Sequence, residues 1–331
     1  MTRIAALLLV YFVSFIDRPS LVAGSDEPTP LQRYEASASI MGSTYTIAAF
    51  GEHRGKLASA VQAAFDEARR IDDFLSDYKP NSELSRMNRD AARSPVIVSQ
   101  EMADLLSRCL EYSRASDGAF DVTVGALMKV WGFYKGSGAL PDAWQLAAAR
   151  RKVGFRHIEL DRRNSTVRFL KKGIELDPGG IGKGYAVDRM ADILGKAGVS
   201  AAFISAAGSS MYAIGAPPDE PDGWPVRIRN PENPAATLGD IHLRDQSFST
   251  SGAYEKFFEA DSQIYSHIMD PRTGMPARGV VSVSVLAPST LDSEAWTKAF
   301  FVNGRDWSVQ NSPEGFQVFL CQESRPCGWL P

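Results

Sequence analysis

The stretch from Leu176 to Asp188 combines residue types that suit a phosphate group: four glycines, one lysine and two aspartates. A predicted strand over 173–176 precedes it, and helical spacing over 190–194 follows it. Glycines let backbone amides approach a ligand, and a helix N-terminus favours negative charge. The stretch is neither a P-loop, since no Ser or Thr follows Gly-Lys, nor a G-x-G-x-x-G motif. Two interpretations remain, a phosphate-binding corner or a tight turn without a ligand.

His267 is the second candidate for chemistry. It is one of four histidines and lies in the polar segment 265–274, beside Asp270 and Arg272. Imidazole titrates near neutrality, so His267 suits a general base or a phosphate contact. The alternative is a structural histidine bonded to the loop backbone.

Three further segments carry polar or aromatic groups with a weaker signal. Residues 249–252 lack the G-x-S-x-G pattern of a serine nucleophile, which favours a turn that bonds its own backbone. Residues 82–86, with Asn88, either bind a ligand or cap a helix, and capping is the simpler interpretation. Tyr78 precedes Pro80 in a polar loop, where it either stacks on an aromatic ligand or is a plain surface residue.

Apolar spacing predicts the elements that position these residues. Predicted helices cover residues 56–75, 100–116, 142–152 and 293–302. Predicted strands cover residues 37–50, 157–160, 166–169, 202–205, 211–214, 226–230, 239–243 and 280–286, before a C-terminal hairpin. Helices and strands alternate irregularly, with many hairpins. This order predicts an α+β fold with mixed, largely antiparallel sheets and packed helices, not a doubly wound parallel sheet.

Composition and charge narrow the class of partner. The chain has 331 residues, of which 23% are charged and 44% hydrophobic, an ordinary globular composition. Its net charge is −3, so no overall basic field attracts nucleic acid or an anionic membrane. An anionic ligand must therefore be held by a local site.

The N-terminus predicts export. Arg3 precedes an apolar run over 4–16, and small residues follow near a cleavage point after Gly24. The run has 13 residues, shorter than the roughly 20 that a spanning helix needs. We therefore predict a signal peptide over 1–24, a leader over 25–36 and one domain over 37–331. The predicted location is the periplasm, with no membrane span after cleavage; the alternative is an uncleaved anchor.

The three cysteines are compatible with that compartment. Cys321 and Cys327 flank a turn-like segment, where a hairpin disulfide is feasible, as are two unpaired thiols. Cys109 lies in a predicted helix and is expected to be buried. No Cys/His spacing resembles a zinc site.

Six groups of short segments, each a weak signal by itself, point to one protein family when they are taken together and in order. They are 41–44; 75–79 with 82–84; 118–125 with 131–133; 177–188; 250–252; and 266–274. In this order they resemble the ApbE family, the FAD:protein FMN transferases, over roughly residues 37–320.

The resemblance implies an α+β fold of the ApbE type, related to the T-fold, and an exported flavin transferase. Such an enzyme binds FAD and cleaves its pyrophosphate with a divalent metal, usually Mg²⁺. It attaches FMN through a phosphoester to a Thr of an acceptor flavoprotein, such as a subunit of a membrane redox complex, and releases AMP. This agrees with the chemistry of the residues, because phosphoryl transfer needs positioning, charge neutralisation and a base.

The resemblance also implies residue roles. The expected catalytic residues are Asp177, Lys183 and His267, with His267 as the base that activates the acceptor hydroxyl. The Gly180 carbonyl is expected to bind the metal. The residues expected to line the FAD site are Met41, Tyr78, Ala119, Phe120, Asp121, Asp177, Lys183 and Met269.

One departure concerns the metal. The family pattern has Asp, and Thr four residues later, at the start of the last helix, where this chain has Glu294 and Lys298. Glu294 can bind Mg²⁺ through one oxygen, but a protonated lysine cannot, and its charge opposes a cation. Asp292 and Thr297 lie nearby on different helix faces.

Three outcomes follow from this departure. The metal binds through Gly180, Glu294 and a shifted partner such as Thr297; or Lys298 itself neutralises the phosphates; or catalysis is lost while flavin binding survives. A metal-dependent FAD pyrophosphatase, with water as the acceptor, is a further alternative. We favour the active transferase, because Asp177, Lys183 and His267 are all present.

Overall fold

The computed structural model describes residues 30–136, 138–233 and 235–331. The predicted signal peptide and the leader up to residue 29 lie outside the described residues. The strands are β1 Gln32–Ile40, β2 Ser43–Gly51, β3 Val96–Ile97, β4 Ile158–Asp161, β5 Thr166–Phe169, β6 Ala201–Ala206, β7 Ser210–Ile214, β8 Trp224–Arg229, β9 Thr237–Leu243, β10 Gln246–Gly252, β11 Phe257–Ala260, β12 Gln263–Ser266, β13 Val280–Ala287, β14 Gln317–Gln322 and β15 Arg325–Trp329. The helices are α1 Arg54–Leu75, α2 Glu83–Asp90, α3 Gln100–Ala115, α4 Gly125–Val130, α5 Ala143–Arg150, α6 Gly182–Lys196 and α7 Thr290–Asn311.

The centre of the fold is an antiparallel sheet of eight strands in the order β1-β2-β6-β7-β10-β13-β14-β15. Alternate residues of a strand point to opposite faces, and in the inner strands residues of both faces are buried. Ile47 and Ala49 belong to the core that α1, α6 and α7 form on one face. Ala48, between them, packs on the other face with Trp224 and Leu243 of the β8–β9 hairpin. The predicted α+β fold with largely antiparallel sheets is confirmed.

The N-terminal strand differs from the prediction over 37–50. It is a hairpin, because Met41 and Gly42 have φ of 51° and 66° and close a two-residue turn between Ile40 and Ser43. Positive φ at both central residues suits the twist of a hairpin but is unusual for methionine. Strand β1 begins at Gln32, so residues 32–36 of the predicted leader belong to the sheet, where Glu35 pairs with Ala48.

The predicted strand over 173–176 is also absent from the described residues. Only an isolated bridge joins Glu175 to Val124. The Asn88 side chain explains this, because its amide nitrogen donates to the Leu176 carbonyl (3.0 Å) and its oxygen accepts from the Leu176 amide (2.8 Å). One side chain thus takes the place of a neighbouring strand.

Residues 249–252 form part of strand β10, so the predicted turn is wrong. Their hydroxyls bond to neighbouring elements instead of their own backbone: Ser249 pairs with Ser293 (2.7 Å) and Thr250 with Ser284 (2.8 Å). Ser82, in contrast, caps α2 as expected, accepting from the amide of Ser85 (2.9 Å).

At the C-terminus, the predicted hairpin is confirmed as β14 and β15. A Cys321–Cys327 disulfide joins its two strands, and Cys109 is a buried free cysteine. Helix α7 extends beyond the predicted 293–302 and changes direction at Gly304, where φ is 76°. Among the described residues, no helix combines the length and apolar character that a bilayer span requires.

Candidate active site

A cavity of about 780 Å³ lies where the β1–β2 turn, the glycine turn before α6, helix α7 and the segment around His267 meet. Its size is within the usual range for ligand pockets. Of the residues predicted for the site, the cavity is lined by Met41, Tyr78, Ala119, Phe120, Asp121, Asp177, Gly180, Lys183, His267, Met269, Glu294 and Lys298. Thr297 is the exception. The fold therefore brings together residues from across the chain that the sequence analysis grouped only by resemblance.

The glycine turn places the positive end of a helix at this cavity. Asp177 begins the turn by accepting from the Gly179 amide (2.7 Å), and α6 begins at Gly182 without a side-chain cap. The first amides of a helix have no carbonyl partner within it, so this end carries partial positive charge. Lys183 follows directly and donates a hydrogen bond to the Ser209 hydroxyl.

Phe120 and Asp121 form the cavity wall beside the glycine turn. The Asp121 carboxylate accepts from the amide and hydroxyl of Thr123 (2.8 and 2.7 Å) and from the Phe155 amide (2.7 Å). These bonds fix the Asp121 side chain between the segments of Thr123 and Phe155. The Phe120 ring lies 3.4 Å from the point where a Cβ on Gly180 would stand, which leaves little room for a larger residue there.

The tautomer of His267 follows from its partner. Nδ1 lies 3.0 Å from the Lys256 carbonyl oxygen, which only accepts, so Nδ1 carries the proton and Nε2 has a free lone pair. Burial lowers the pKa of His267 to about 4; the carbonyl bond opposes this shift, and the charges of Lys298, Lys256 and Lys183 add to it. The imidazole is therefore neutral at physiological pH and able to accept a proton.

Glu294 is the acidic residue that α7 contributes to the cavity lining, and it is only 1% exposed. One carboxylate oxygen accepts from the Gly184 amide, and the other lies 3.6 Å from the Lys298 ammonium, one helical turn away. Burial lowers the pKa of Lys298 to about 8, with the Glu294 charge opposing that shift. Lys298 is thus largely protonated at neutral pH, and the two residues form a buried ion pair on the cavity wall.

Gly184 allows the close contact of α6 with α7. A Cβ there would lie 2.8 Å from a carboxylate oxygen of Glu294 and against the carbonyl oxygen of Thr290. Gly184→Ala is therefore expected to lower the free energy of unfolding by about 1–3 kcal/mol, measured by urea denaturation. Gly195→Ala, in the same helix with open space around it, is the matched control and should be stabilising by up to about 1 kcal/mol. Equal effects of the two changes would contradict this packing.

The ring of Tyr78 stands at the cavity, 72% exposed, with its centroid 5.8 Å from that of Tyr134. The exposed Tyr78 ring, beside the half-buried ring of Tyr134, suits stacking on a planar ligand. The cavity is also lined by three residues that were not predicted from the sequence: Tyr134, Ser209 and Lys256. Ser209 follows a turn in which Ala207 and Gly208 have positive φ. The glycine in this Ala-Gly-Ser segment was a signal of a turn that could be read from the sequence. The sequence carries no such signal for Tyr134 or Lys256.

Comparison with known proteins agrees with this geometry. The family model described as the ApbE family matches residues 41–319. The FAD:protein FMN transferase of Klebsiella pneumoniae (strain 342) is 32% identical over 322 residues, covering 91% of this chain and 89% of that protein. The chain belongs to the ApbE family. The FAD:protein FMN transferase of Escherichia coli (strain K12) is 30% identical over 338 residues, covering 96% and 92% of the two chains.

Solved structures of the ApbE family have the same fold. The crystal structure of the ApbE protein from Thermotoga maritima superposes with a TM-score of 0.82 at 30% identity, covering 90% of this chain and 96% of that one. The apo form of the Pseudomonas stutzeri flavinyl transferase ApbE gives 0.78 at 29% identity, covering 91% and 94%.

The residues that the ApbE resemblance assigns to a metal do not fit a divalent cation as they stand. Mg²⁺ requires oxygen ligands in near-octahedral geometry, but Lys298 supplies an ammonium beside Glu294. Thr297, named as a substitute ligand, does not line the cavity; its hydroxyl bonds to Ser251 (2.7 Å) and to the Glu294 carbonyl (2.6 Å). No group of three or more His, Cys, Asp or Glu side chains suited to a metal occurs in the described ranges.

Proposed function

We propose that this protein is an FAD:protein FMN transferase, which moves the FMN half of FAD to a threonine hydroxyl of an acceptor flavoprotein and releases AMP. The observation that carries the proposal is the meeting of Lys183, the α6 N-terminus and the free lone pair of His267 in one cavity. A phosphate-binding corner and a base are the two parts that phosphoryl transfer to a hydroxyl requires.

The proposed binding of FAD follows the charges of the cavity. The diphosphate lies at the glycine turn, where the first amides of α6, Lys183 and Lys298 supply positive charge. The isoalloxazine ring stacks near Tyr78, and Phe120 and Met269 supply apolar contact. Asp177 is half-buried, and burial together with the charge of Asp77 raises its pKa; it contacts the nucleotide as a hydrogen-bonding group.

In the proposed reaction the acceptor hydroxyl gives its proton to Nε2 of His267. Its oxygen forms a bond to the phosphorus of the FMN half, and the bond from that phosphorus to the bridging oxygen breaks. AMP leaves with the electron pair of the broken bond and takes up a proton. No metal is needed to balance this step, and no redox change of the flavin occurs.

The acid limb of the pH profile tests the proposed base. His267 must be neutral to act, and its pKa in the free protein is lowered to about 4. We therefore expect kcat/KM to stay level as pH falls from about 7, where Lys298 is largely protonated, to about 5, below the pKa near 6.5 of an ordinary histidine. Bound diphosphate is anionic and raises the pKa of His267, so the acid limb of kcat should lie at higher pH than that of kcat/KM. An acid limb of kcat/KM near pH 6.5 would count against a base whose pKa is lowered by burial.

We also propose that the protein acts in the periplasm after removal of residues 1–24. The Cys321–Cys327 disulfide supports this, because structural disulfides persist in oxidising compartments. Fractionation of cells that express the full chain, with intact-mass analysis of the periplasmic protein, tests the proposal. The mature mass should correspond to a chain beginning at Ser25, and a full-length membrane-bound product would refute it.

The transfer itself is tested by incubating the purified protein with FAD and a threonine-bearing acceptor domain. We expect the acceptor mass to rise by one FMN and one AMP to appear for each modified acceptor. Free FMN with AMP and an unmodified acceptor would instead indicate an FAD pyrophosphatase. Bound FAD without release of AMP would indicate a flavin-binding protein without transfer activity. This is the second candidate function, and the observation that favours it is the Glu294–Lys298 ion pair.

A further inference from the structure

The buried pair of Glu294 and Lys298 points to a property of this chain that its family membership does not supply. The Glu294 carboxylate is the acidic group nearest the glycine turn on α7, and it already has two partners, the Gly184 amide and the Lys298 ammonium. A charge buried to this degree is stable only when it is paired and hydrogen-bonded. The negative charge that would attract a divalent cation is therefore balanced within the protein.

The position of Lys298 relative to the glycine turn is the second observation. Its Cε lies 3.9 Å from the point where a Cβ on Gly180 would stand, so its side chain reaches from α7 to the turn. Lys298 and Lys183 both line the cavity at this point. Lys298 thus lies between the Glu294 carboxylate, 3.6 Å from its ammonium, and the glycine turn beside its Cε, the two places between which the resemblance implies a metal.

Resting on the proposed transfer of FMN, we propose that the Lys298 ammonium takes the place of the divalent cation in this protein. It is a fixed positive charge that balances Glu294 and, when FAD binds, contacts the diphosphate oxygens as a hydrogen-bond donor. An ammonium provides one charge and three donors, and Lys183 with the α6 N-terminus adds further positive charge. FAD binding and FMN transfer are then independent of added metal.

The first test is direct binding of Mg²⁺ to the FAD-loaded protein, by calorimetric titration with MgCl₂ after treatment with EDTA and its removal. FAD alone is titrated as the control for Mg²⁺ bound by free diphosphate. We expect no saturable binding beyond this control. Binding of one Mg²⁺ per protein would overturn the inference, because the ammonium and the cation cannot share the position.

The second test uses two variants. Lys298→Thr removes the charge and places a hydroxyl four residues after Glu294; it is expected to bind FAD at least about tenfold more weakly in EDTA and to recover in MgCl₂. Lys298→Gln removes the charge without this hydroxyl and should lose affinity without recovery. The Kd of FAD for the wild-type protein should agree within about threefold between EDTA and MgCl₂. If Lys298→Gln binds FAD in EDTA as the wild type does, the ammonium does not contact the diphosphate.

The same variants separate the proposed FMN transfer from the proposed role of Lys298. The control for loss of a lysine is Lys196→Met, at the exposed end of α6. Circular dichroism verifies that each variant is folded. The titration of wild-type protein gives a result even if Lys298→Thr does not fold. If no acceptor is modified in EDTA or in MgCl₂, the proposed transfer fails, while Mg²⁺ and FAD binding still decide the role of Lys298. If transfer occurs only in MgCl₂, the transfer stands and the inference fails.

Discussion

Replacing His267 with asparagine is expected to lower kcat for FMN transfer by about 10²–10⁴-fold, the usual contribution of a general base. Asparagine can still donate to the Lys256 carbonyl, as Nδ1 of His267 does at 3.0 Å, but it has no basic nitrogen where Nε2 stands. The segment around residue 267 should therefore keep its conformation while the proton acceptor is lost. The change should appear in kcat, measured by the rate of AMP release with saturating FAD and acceptor.

The binding of FAD distinguishes loss of the base from loss of the site. The Kd of FAD for His267→Asn, measured by quenching of flavin fluorescence, should agree with the wild type within about threefold. His242→Asn, on the exposed edge of β9, is the matched control and should retain full activity. A His267→Asn variant with near wild-type kcat would exclude His267 as the base, and one that cannot bind FAD would indicate a binding role instead.

Replacing Lys183 with methionine should have its main effect on binding. Methionine is unbranched and of comparable reach but carries no charge, so the variant removes a charge-assisted contact to the diphosphate at the start of α6. Such contacts contribute about 1.5–3 kcal/mol, which corresponds to a rise in the Kd of FAD of about 10–150-fold. The value of kcat/KM for FAD should fall by at least the same factor.

Two controls define the origin of this effect. Lys196→Met lies in the same helix but at its exposed C-terminal end, and it should leave the Kd of FAD within about threefold. Raising the salt concentration should weaken FAD binding to the wild type more than to Lys183→Met, because the variant has lost one of the screened charges. An unchanged Kd for Lys183→Met would place the diphosphate elsewhere in the cavity.

The two variants test different parts of one site. His267 belongs to the segment after β12, whereas Lys183 belongs to the first turn of α6. If His267 accepts the proton and Lys183 binds the diphosphate, the first change lowers kcat at constant Kd and the second raises Kd. Effects of the same kind from both would mean that the residues act as one unit.

The sequence by itself determined the class of fold and most of the elements. Apolar residues recur every three to four positions in α1, which buries the resulting apolar face in the core; they are Leu57, Val61, Phe65, Ala68 and Ile71. The cap of α2 was also readable, because Ser82 stands immediately before that helix. These features depend on residues that are close in the chain, where periodicity and capping act.

Predictions from local sequence pattern were wrong where a backbone or side-chain group found its hydrogen-bond partner in a distant part of the chain. The Asn88 side chain satisfies the backbone of Leu176 across 88 positions, so a strand-like segment needs no neighbouring strand. The hydroxyl of Ser251 turns to Thr297 on α7 instead of to its own backbone. A polar group can bond either to nearby residues or to residues distant in the chain, and the sequence pattern does not reveal the distant partner.

The charge state of the site was decided only by the tertiary structure. The sequence places Glu294 and Lys298 one helical turn apart, which permits an ion pair but equally permits two solvated side chains. The packing of α6 on α7 buries Glu294 fully and Lys298 in part, because Gly184 lets the helices approach and its amide, 110 positions away, binds the carboxylate. Whether this corner holds a metal or a lysine therefore depends on the distance between two helices, which no local pattern encodes.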